Sequence, residues 1–418
     1  MGMSYYYGVD GTIADRTIIS LFNLGTKELR YSSKLNSDVY NFVGFVFSGN
    51  NALVVFPKHY YESVNIRVLN STNFEQKADI KLLYDVIQKY NSTSNAQRYI
   101  GNKKDCEYEA DYPFASFYSV YDYYNKYGLF MKTNTNIVPN GSGKVSWKDT
   151  IRKSQKIISA GNIIFVPLYK QKKNNQSVFL TDCMAFIIDY TIENYSSLIN
   201  LKTTGYQRSK FDYFSNIDYV IQQLRKCQSE MFKDSQKRLV QNMIDFFVQY
   251  KSKGYGGTRK IKINNFKMVW QDMIEHYLNK HFIGFDETTN SLMIDESKNS
   301  SVIKFNNGVY NDIDSSDHHF SIDVDHIAYD NNELYIFDSK YYTGVYNLNY
   351  KQYAYNEILR YRFPNAEHIY NALILPGVST CSKTHFEIAP EYAGERTIGN
   401  KIIEQYFIPK NIMIDYLL

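Results

Sequence analysis

Apolar and polar positions recur with different periods along the chain, and the changes of period mark out its elements. Residues 41–47 and 52–56 are apolar runs separated by Ser48-Gly49-Asn50-Asn51, a hairpin signal, and Pro57-Lys58 ends the second run. Residues 1–72 therefore read as β-rich. Over 74–90 the period becomes helical, with Ile80, Leu83, Tyr84 and Ile87 on one face, until the polar break at 91–95. A helix is expected near 114–127, ended by Gly128, followed by a glycine-bearing turn or wing at 140–143. Residues 162–168 and 178–189 read as strands around a polar loop at 170–175, and 217–250 as one or two helices. A Gly- and Lys-rich connector spans 251–262.

Beyond that connector the pattern sharpens. Apolar residues at 266, 269, 270, 273, 274, 277 and 278 share one helical face. Residues 322–341 read IDVDHIAYDNNELYIFDSKY: two β-like runs joined by the turn-like Asp330-Asn331-Asn332. Alternation puts Asp338 and Lys340 on one face of the second strand and Ser339 on the other. Paired as a hairpin, the runs let Asp325 approach them. Alone, an Asp-x-Lys is usually a surface ion pair of little worth. This one follows an apolar run expected to be buried, where charges are costly unless paired or metal-bound. Two carboxylates and an ammonium at the rim of a sheet suit Mg²⁺-assisted phosphodiester hydrolysis. The carboxylates supply the hard oxygen ligands, and the lysine positions water and offsets developing charge. A second helix is expected to open at Lys351 and end near Pro364, with Lys351, Gln352 and Tyr355 within one quadrant, and a strand to follow at 369–375.

This order resembles the PD-(D/E)xK nuclease core, with Asp325 and Asp338 in the places of its acidic residues and Lys340 in that of its lysine. Phe337-Asp338-Ser339-Lys340-Tyr341-Tyr342 and the later Lys351-Gln352-x-x-Tyr355 are similar to LlaJI-type restriction endonucleases and the related McrC nuclease subunits. So is Gly141-Ser142-Gly143-Lys144-Val145-Ser146-Trp147-Lys148-Asp149-Thr150-Ile151. The resemblance implies an α/β nuclease domain with a mixed sheet flanked by helices. It also implies Mg²⁺ (with Mn²⁺ substituting) on Asp325, Asp338 and the Ser339 carbonyl, 5′-phosphate products, and a McrB-like AAA+ GTPase hexamer as partner. Two positions depart from the pattern. Val324 stands where a proline often precedes the first aspartate. Gln271 stands where an acid often follows the tryptophan, so Glu275, one turn later, is the substitute candidate. Gln352 is a further catalytic candidate.

At 418 residues, two or three domains are expected: a β-rich one over 1–72, a helical, winged-helix-like one over 73–250 that docks DNA or a partner, and the nuclease over 251–418. Lys144, Lys148, Arg152 and Lys153, with Lys170, Lys172 and Lys173, are candidate phosphate contacts in the middle region; Lys351 and Tyr355 are candidates in the nuclease. A formal charge of +4 permits DNA binding without arguing for it. Cys106, Cys183, Cys227 and Cys381 form no CxxC pair, and no apolar run reaches membrane-span length, so a cytoplasmic protein with reduced thiols is expected. No GxxxxGK[ST] motif is present, which assigns any nucleotide-driven step to another polypeptide. His318-His319 would point to opposite faces of a strand, which argues against a shared metal. A homodimer would serve double-strand cutting. Two other readings stand beside this one: an autonomous repair, recombination or type II restriction nuclease, and a non-catalytic DNA-binding adaptor.

Overall fold

A computed structural model describes residues 3–72, 76–92, 108–159, 161–196, 198–199, 201–252, 259–313, 315, 320–393 and 398–418. The chain divides into two units, one joining 1–110 to 256–418 and the other spanning 111–255. The first unit is therefore built from two separate stretches of chain. The reason is a strand exchange: Tyr108–Ala110 pairs with Arg259–Ile263, which pairs in turn with Val43–Ser48. Residues 259–262, expected within the connector, thus form part of a central strand in a five-stranded sheet.

That sheet contains the hairpin read from sequence, Val43–Ser48 against Asn51–Phe56, with Ser48 opposite Asn51. The helix Lys77–Ser92 buries Ile80, Leu83, Tyr84 and Ile87, as its periodicity predicts. A six-stranded mixed sheet is the second feature of this unit. Its order is Asn306–Tyr310, Ile322–Asp330, Glu333–Ser339, His368–Pro376, Lys401–Phe407 and Cys381–Glu387. The Ile322–Asp330 and Glu333–Ser339 strands form the expected hairpin, turned by Asn331 and Asn332 at φ 48° and 65°. Asparagine tolerates this left-handed region better than most residues. Glu333–Ser339 runs parallel to His368–Pro376, and the helix Tyr350–Arg362 makes the crossover between them.

Each face of this sheet has its own cover. Leu334 and Ile336 pack with Val324, Ile327, Tyr355 and Leu359, which seats the Tyr350–Arg362 helix. On the other face, Tyr335 and Phe337 meet the rings of Phe282 and Phe305. The helix Lys267–His281 leads into Phe282, and its predicted apolar face is buried throughout. Trp270 Nε1 donates to the Ile374 carbonyl at 3.3 Å, so the start of this helix is tied to the parallel strands.

The second unit corrects two expectations. Residues 179–189 lie in a helix, Phe179–Asn194, and the polar stretch at 170–175 lies in a strand, Tyr169–Gln176, paired with Lys132–Pro139. The helix buries Leu180, Cys183, Met184, Ile187, Ile188 and Ile192 at helical spacing, but the unbroken apolar run 183–188 within it reads equally well as a buried strand. Other elements match: Phe114–Tyr127 ends at Gly128, Gly143 (φ 118°) turns the 140–143 segment, and 217–250 forms the helices Ile217–Ser229 and Asp234–Ser252. Among the described residues, no helix is long and apolar enough to cross a membrane. His318 and His319 lie outside the described residues.

Candidate active site

Asp325 lies beside an irregularity in its strand. Asn306 pairs with Ile327 but Gly308 with Val324, so the strand carrying Asp325 holds one extra residue there, a β-bulge. From the hairpin register, with His326 opposite Phe337, Asp325 comes opposite Asp338. The bulge then rephases the strand, so that Val324 and Ile322 return to the apolar face against the helix. Gly308 serves the same feature: a Cβ there would stand 2.7 Å from Ile327 Cγ2.

The two carboxylates meet in a nearly dry space, Asp325 being 6% and Asp338 1% exposed. Asp325 Oδ2 accepts the Ser339 amide at 2.9 Å. Asp338 forms an ion pair with Lys340, and Lys351 Nζ lies 3.8 Å from its other oxygen. Neither Asp338 oxygen is met by a well-directed hydrogen bond. Burial first, and the Asp338 charge second, push the Asp325 carboxyl up to about 7 against the pull of Lys267, Lys351 and Lys340. Desolvation and the neighbouring carboxylate thus outweigh the three lysines that act on Asp325.

Lys340 is anchored at both ends: its backbone amide donates to Ile374 O at 2.8 Å and its ammonium meets Asp338. Ser339 faces away, as alternation requires, and its hydroxyl lies 2.7 Å from His326 Nε2 beneath the site. Complete burial holds His326 down at about 4, against the upward pull of Asp338, so it packs there as a neutral ring.

The Tyr350–Arg362 helix brings three expected residues to this face. Gln352 is fully buried; its side-chain amide donates to Ile336 O at 2.7 Å, two residues before Asp338, and leaves Oε1 without a partner. It braces the strand and does not touch Lys340. Tyr355 is buried too, its hydroxyl donating to Asp323 O, and its ring lies 5.0 Å from Lys351 Nζ. Burial opposes the charge on Lys351, but Tyr355 and the two aspartates outweigh it and raise its pKa. Tyr355 is thus placed as a support for Lys351 and not as an exposed stacking platform.

Glu275 stands elsewhere. Burial pushes its carboxyl up to about 7, and the charge acting on it is Asp272, not Asp325, Asp338 or Lys340. Gln271, one turn earlier, is buried. Glu275→Gln is therefore expected to leave the rate of any DNA cutting within about two-fold of wild type, since a neutral group replaces one outside the pair's field; a parallel rate assay of the two proteins checks this. The residue that sequence reasoning passed over is Lys267, at the start of the same helix. Its ammonium acts on Asp325 more strongly than Lys351 or Lys340 does. Nothing in the local sequence marks it.

In the second unit, Lys144 and Lys148 are exposed, and Lys144 and Lys172 line a cavity of about 590 Å³ with Ser142, Gly143 and Gln171. Arg152 and Lys153 are drawn to Asp149, at 3.5 and 3.1 Å. Among the described residues, no group of three His, Cys, Asp or Glu side chains gathers as a metal site. A cation at the Asp325–Asp338 pair would draw its further ligands from backbone, water or substrate.

The family model for the LlaJI restriction endonuclease matches residues 42–387, and the chain belongs to that family. A chain of the Thermococcus gammatolerans assembly of McrB AAA+ hexamers with bound McrC is similar over 99% of this chain and 98% of its own, at 10% identity and a TM-score of 0.38. A second, from the Thermococcus gammatolerans McrBC complex, covers 66% of this chain and 87% of its own, at 12% identity and a TM-score of 0.23. No curated protein matches.

Proposed function

We propose that this member of the LlaJI restriction endonuclease family is a Mg²⁺-dependent endodeoxyribonuclease subunit of a restriction or phage-defence system, with a site of the PD-(D/E)xK type. The observation that carries the reading is the convergence of Asp325 on Asp338 and Lys340 at the end of the sheet, set by the hairpin register. The donor set fits a hard divalent cation, because two buried carboxylates oppose each other and Asp338 Oδ1, with Lys351 Nζ 3.8 Å away, has no hydrogen bond. Asp325, Asp338 and the Ser339 carbonyl would hold the ion. When bound, it supplies an acidified water and offsets charge on the phosphate.

The chain's own residues do the rest. Asp338 and the Ile374 carbonyl hold Lys340 in one place, so its ammonium orients the attacking water and offsets charge as the phosphodiester bond breaks. Gln352 keeps the Asp338 strand from shifting by its bond to Ile336 O. Lys351, steadied by Tyr355, faces the same space and offers a phosphate contact.

The likeness of 337–355 and 141–151 to LlaJI-type and McrC sequences supports a McrB-like AAA+ GTPase as the partner. Plasmid cleavage with Mg²⁺ or Mn²⁺ tests both parts, run with and without such a partner and GTP, each beside Lys340→Ala. The expected result is metal-dependent cutting that needs the partner and vanishes in the variant. Cutting by the chain alone would retain the site and overturn the partner. No metal-dependent cutting in any arm would overturn the nuclease reading in favour of an adaptor.

A further inference from the structure

Lys340 stands just outside its ladder. The strand Glu333–Ser339 ends one residue before it, and residues 340–349 form neither strand nor helix. The Lys340 amide still donates to Ile374 O at 2.8 Å, but Tyr342 and Thr343 are already exposed. Strand ends of this kind open locally, because few buried contacts oppose it. Tyr341 lies between the ladder and the exposed stretch, and it is 6% exposed.

Two parts of the first unit hold Tyr341. Its ring packs against Phe266, with centroids 5.5 Å apart. The five-stranded sheet supplies the other grip. The Tyr341 hydroxyl accepts the Lys58 amide at 2.9 Å, and the Lys58 ammonium lies 4.3 Å from the centre of the tyrosine ring. A desolvated cation over a ring is attracted by its negative face. Lys58 is itself fixed by an ion pair with Asp10, which is 7% exposed. Both residues follow the parallel strands Ser4–Val9 and Asn51–Phe56, and the Asp10 amide donates to Phe56 O at 2.8 Å. The proposed hydrolysis gives none of Asp10, Lys58 and Tyr341 a role.

We propose that Tyr341 is a positioning residue for Lys340, held in that role by the Asp10–Lys58 pair of the five-stranded sheet. It acts through the backbone of Lys340, keeping the ammonium on Asp338. Its consequence for catalysis rests on the nuclease reading; its effect on the strand end does not.

The test combines amide hydrogen exchange with cleavage kinetics for wild type, Tyr341→Phe and Tyr341→Leu. Tyr341→Leu removes the ring and the hydroxyl acceptor together. Exchange at the Lys340 amide should quicken by about tenfold or more, while the amides of residues 334–337 keep their wild-type rates. Its kcat should fall by a similar factor with KM within about two-fold, because a displaced ammonium fails charge that develops during reaction. Tyr341→Phe keeps the ring under Lys58 and should recover most of both. Asp10→Asn combined with Lys58→Met removes the pair without stranding a buried charge. It should move exchange and kcat in the same direction, and it carries the test if Tyr341→Leu does not fold. A merely structural tyrosine would quicken exchange along the whole of 334–340. That result overturns the assignment, as does unchanged Lys340 exchange, quickened exchange at wild-type kcat, or a raised KM at constant kcat. A wild type that never cuts with metal defeats the nuclease reading, whereas one that cuts, with Lys340 exchange unmoved in the variants, defeats this assignment alone.

Discussion

Asp338→Ala and Lys340→Ala are each expected to lower DNA cleavage by at least about 10³-fold, the scale of losing a preorganised charge at a developing anion. Asp338 is 1% exposed and has carboxylate oxygens without hydrogen bonds, so no neighbouring group substitutes for it. Lys340 is fixed by its amide as well as its ammonium, and Lys351, 3.8 Å from Asp338 on a half-exposed side chain, is not positioned to replace it. Duplex affinity of Lys340→Ala should stay near wild type, because the lysine acts on charge that develops during reaction. Asp338→Ala leaves Lys340 unpaired in a buried setting, so Asp338→Asn is the cleaner companion, and thermal melts of all three variants would separate lost chemistry from lost fold. Either alanine variant cutting at the wild-type rate would remove these residues from the site.

The second large effect is on stability. Metal-free protein is expected to lose stability as pH rises through about 7, the range of the Asp325 carboxyl. The sign follows from proton counting. Between the ordinary carboxyl range and about 7, the folded chain retains a proton that the unfolded chain has released, so stability present at low pH is lost as pH rises. The swing is on the order of a few kcal/mol. Glu275 titrates in the same direction and His326, held low, in the opposite one, so the informative quantity is the difference between wild type and Asp325→Asn. That difference, from melts in chelator between about pH 5 and 8.5, should grow with pH in favour of the variant. Mg²⁺ should stabilise wild type more at high pH than at low pH, and Asp325→Asn little at either. A flat difference curve would mean that Asp325 and Asp338 do not share a dry space.

The candidate chemistry was legible because it sits in a local motif. Asp338, Ser339 and Lys340 lie at strand spacing behind a buried run, so alternation alone separated the faces, and Ser339 does turn to His326 while Lys340 turns to Asp338. The hairpin and both flanking helices were legible for the same reason: a strong period bounded by clear turn residues. The misreading of Phe179–Asn194 has another cause: the unbroken apolar run 183–188 masks the helical spacing of Leu180, Cys183, Met184, Ile187 and Ile188, and a short apolar run fits a buried strand as well as a helix. Glu275 was chosen by type and nearness in sequence, yet one helical turn is enough to carry a carboxylate out of the pair's field.

Sequence alone therefore determined which residues could do the chemistry and which faces of their elements they occupy, because side-chain periodicity is a property of a few consecutive residues. It also carried the family membership that the match over 42–387 establishes. Tertiary structure decided the rest. The bulge that returns Val324 and Ile322 to the apolar face arises from register with Gly308 on a neighbouring strand. The return of Tyr108–Ala110 to the first unit requires a strand pairing across a long loop of chain. The start of the Lys267–His281 helix meets the Lys340 strand end only because Trp270 and Lys340 share the Ile374 carbonyl, Trp270 and Ile374 lying more than a hundred positions apart. Such placements depend on the packing of distant segments, and local periodicity contains no record of them.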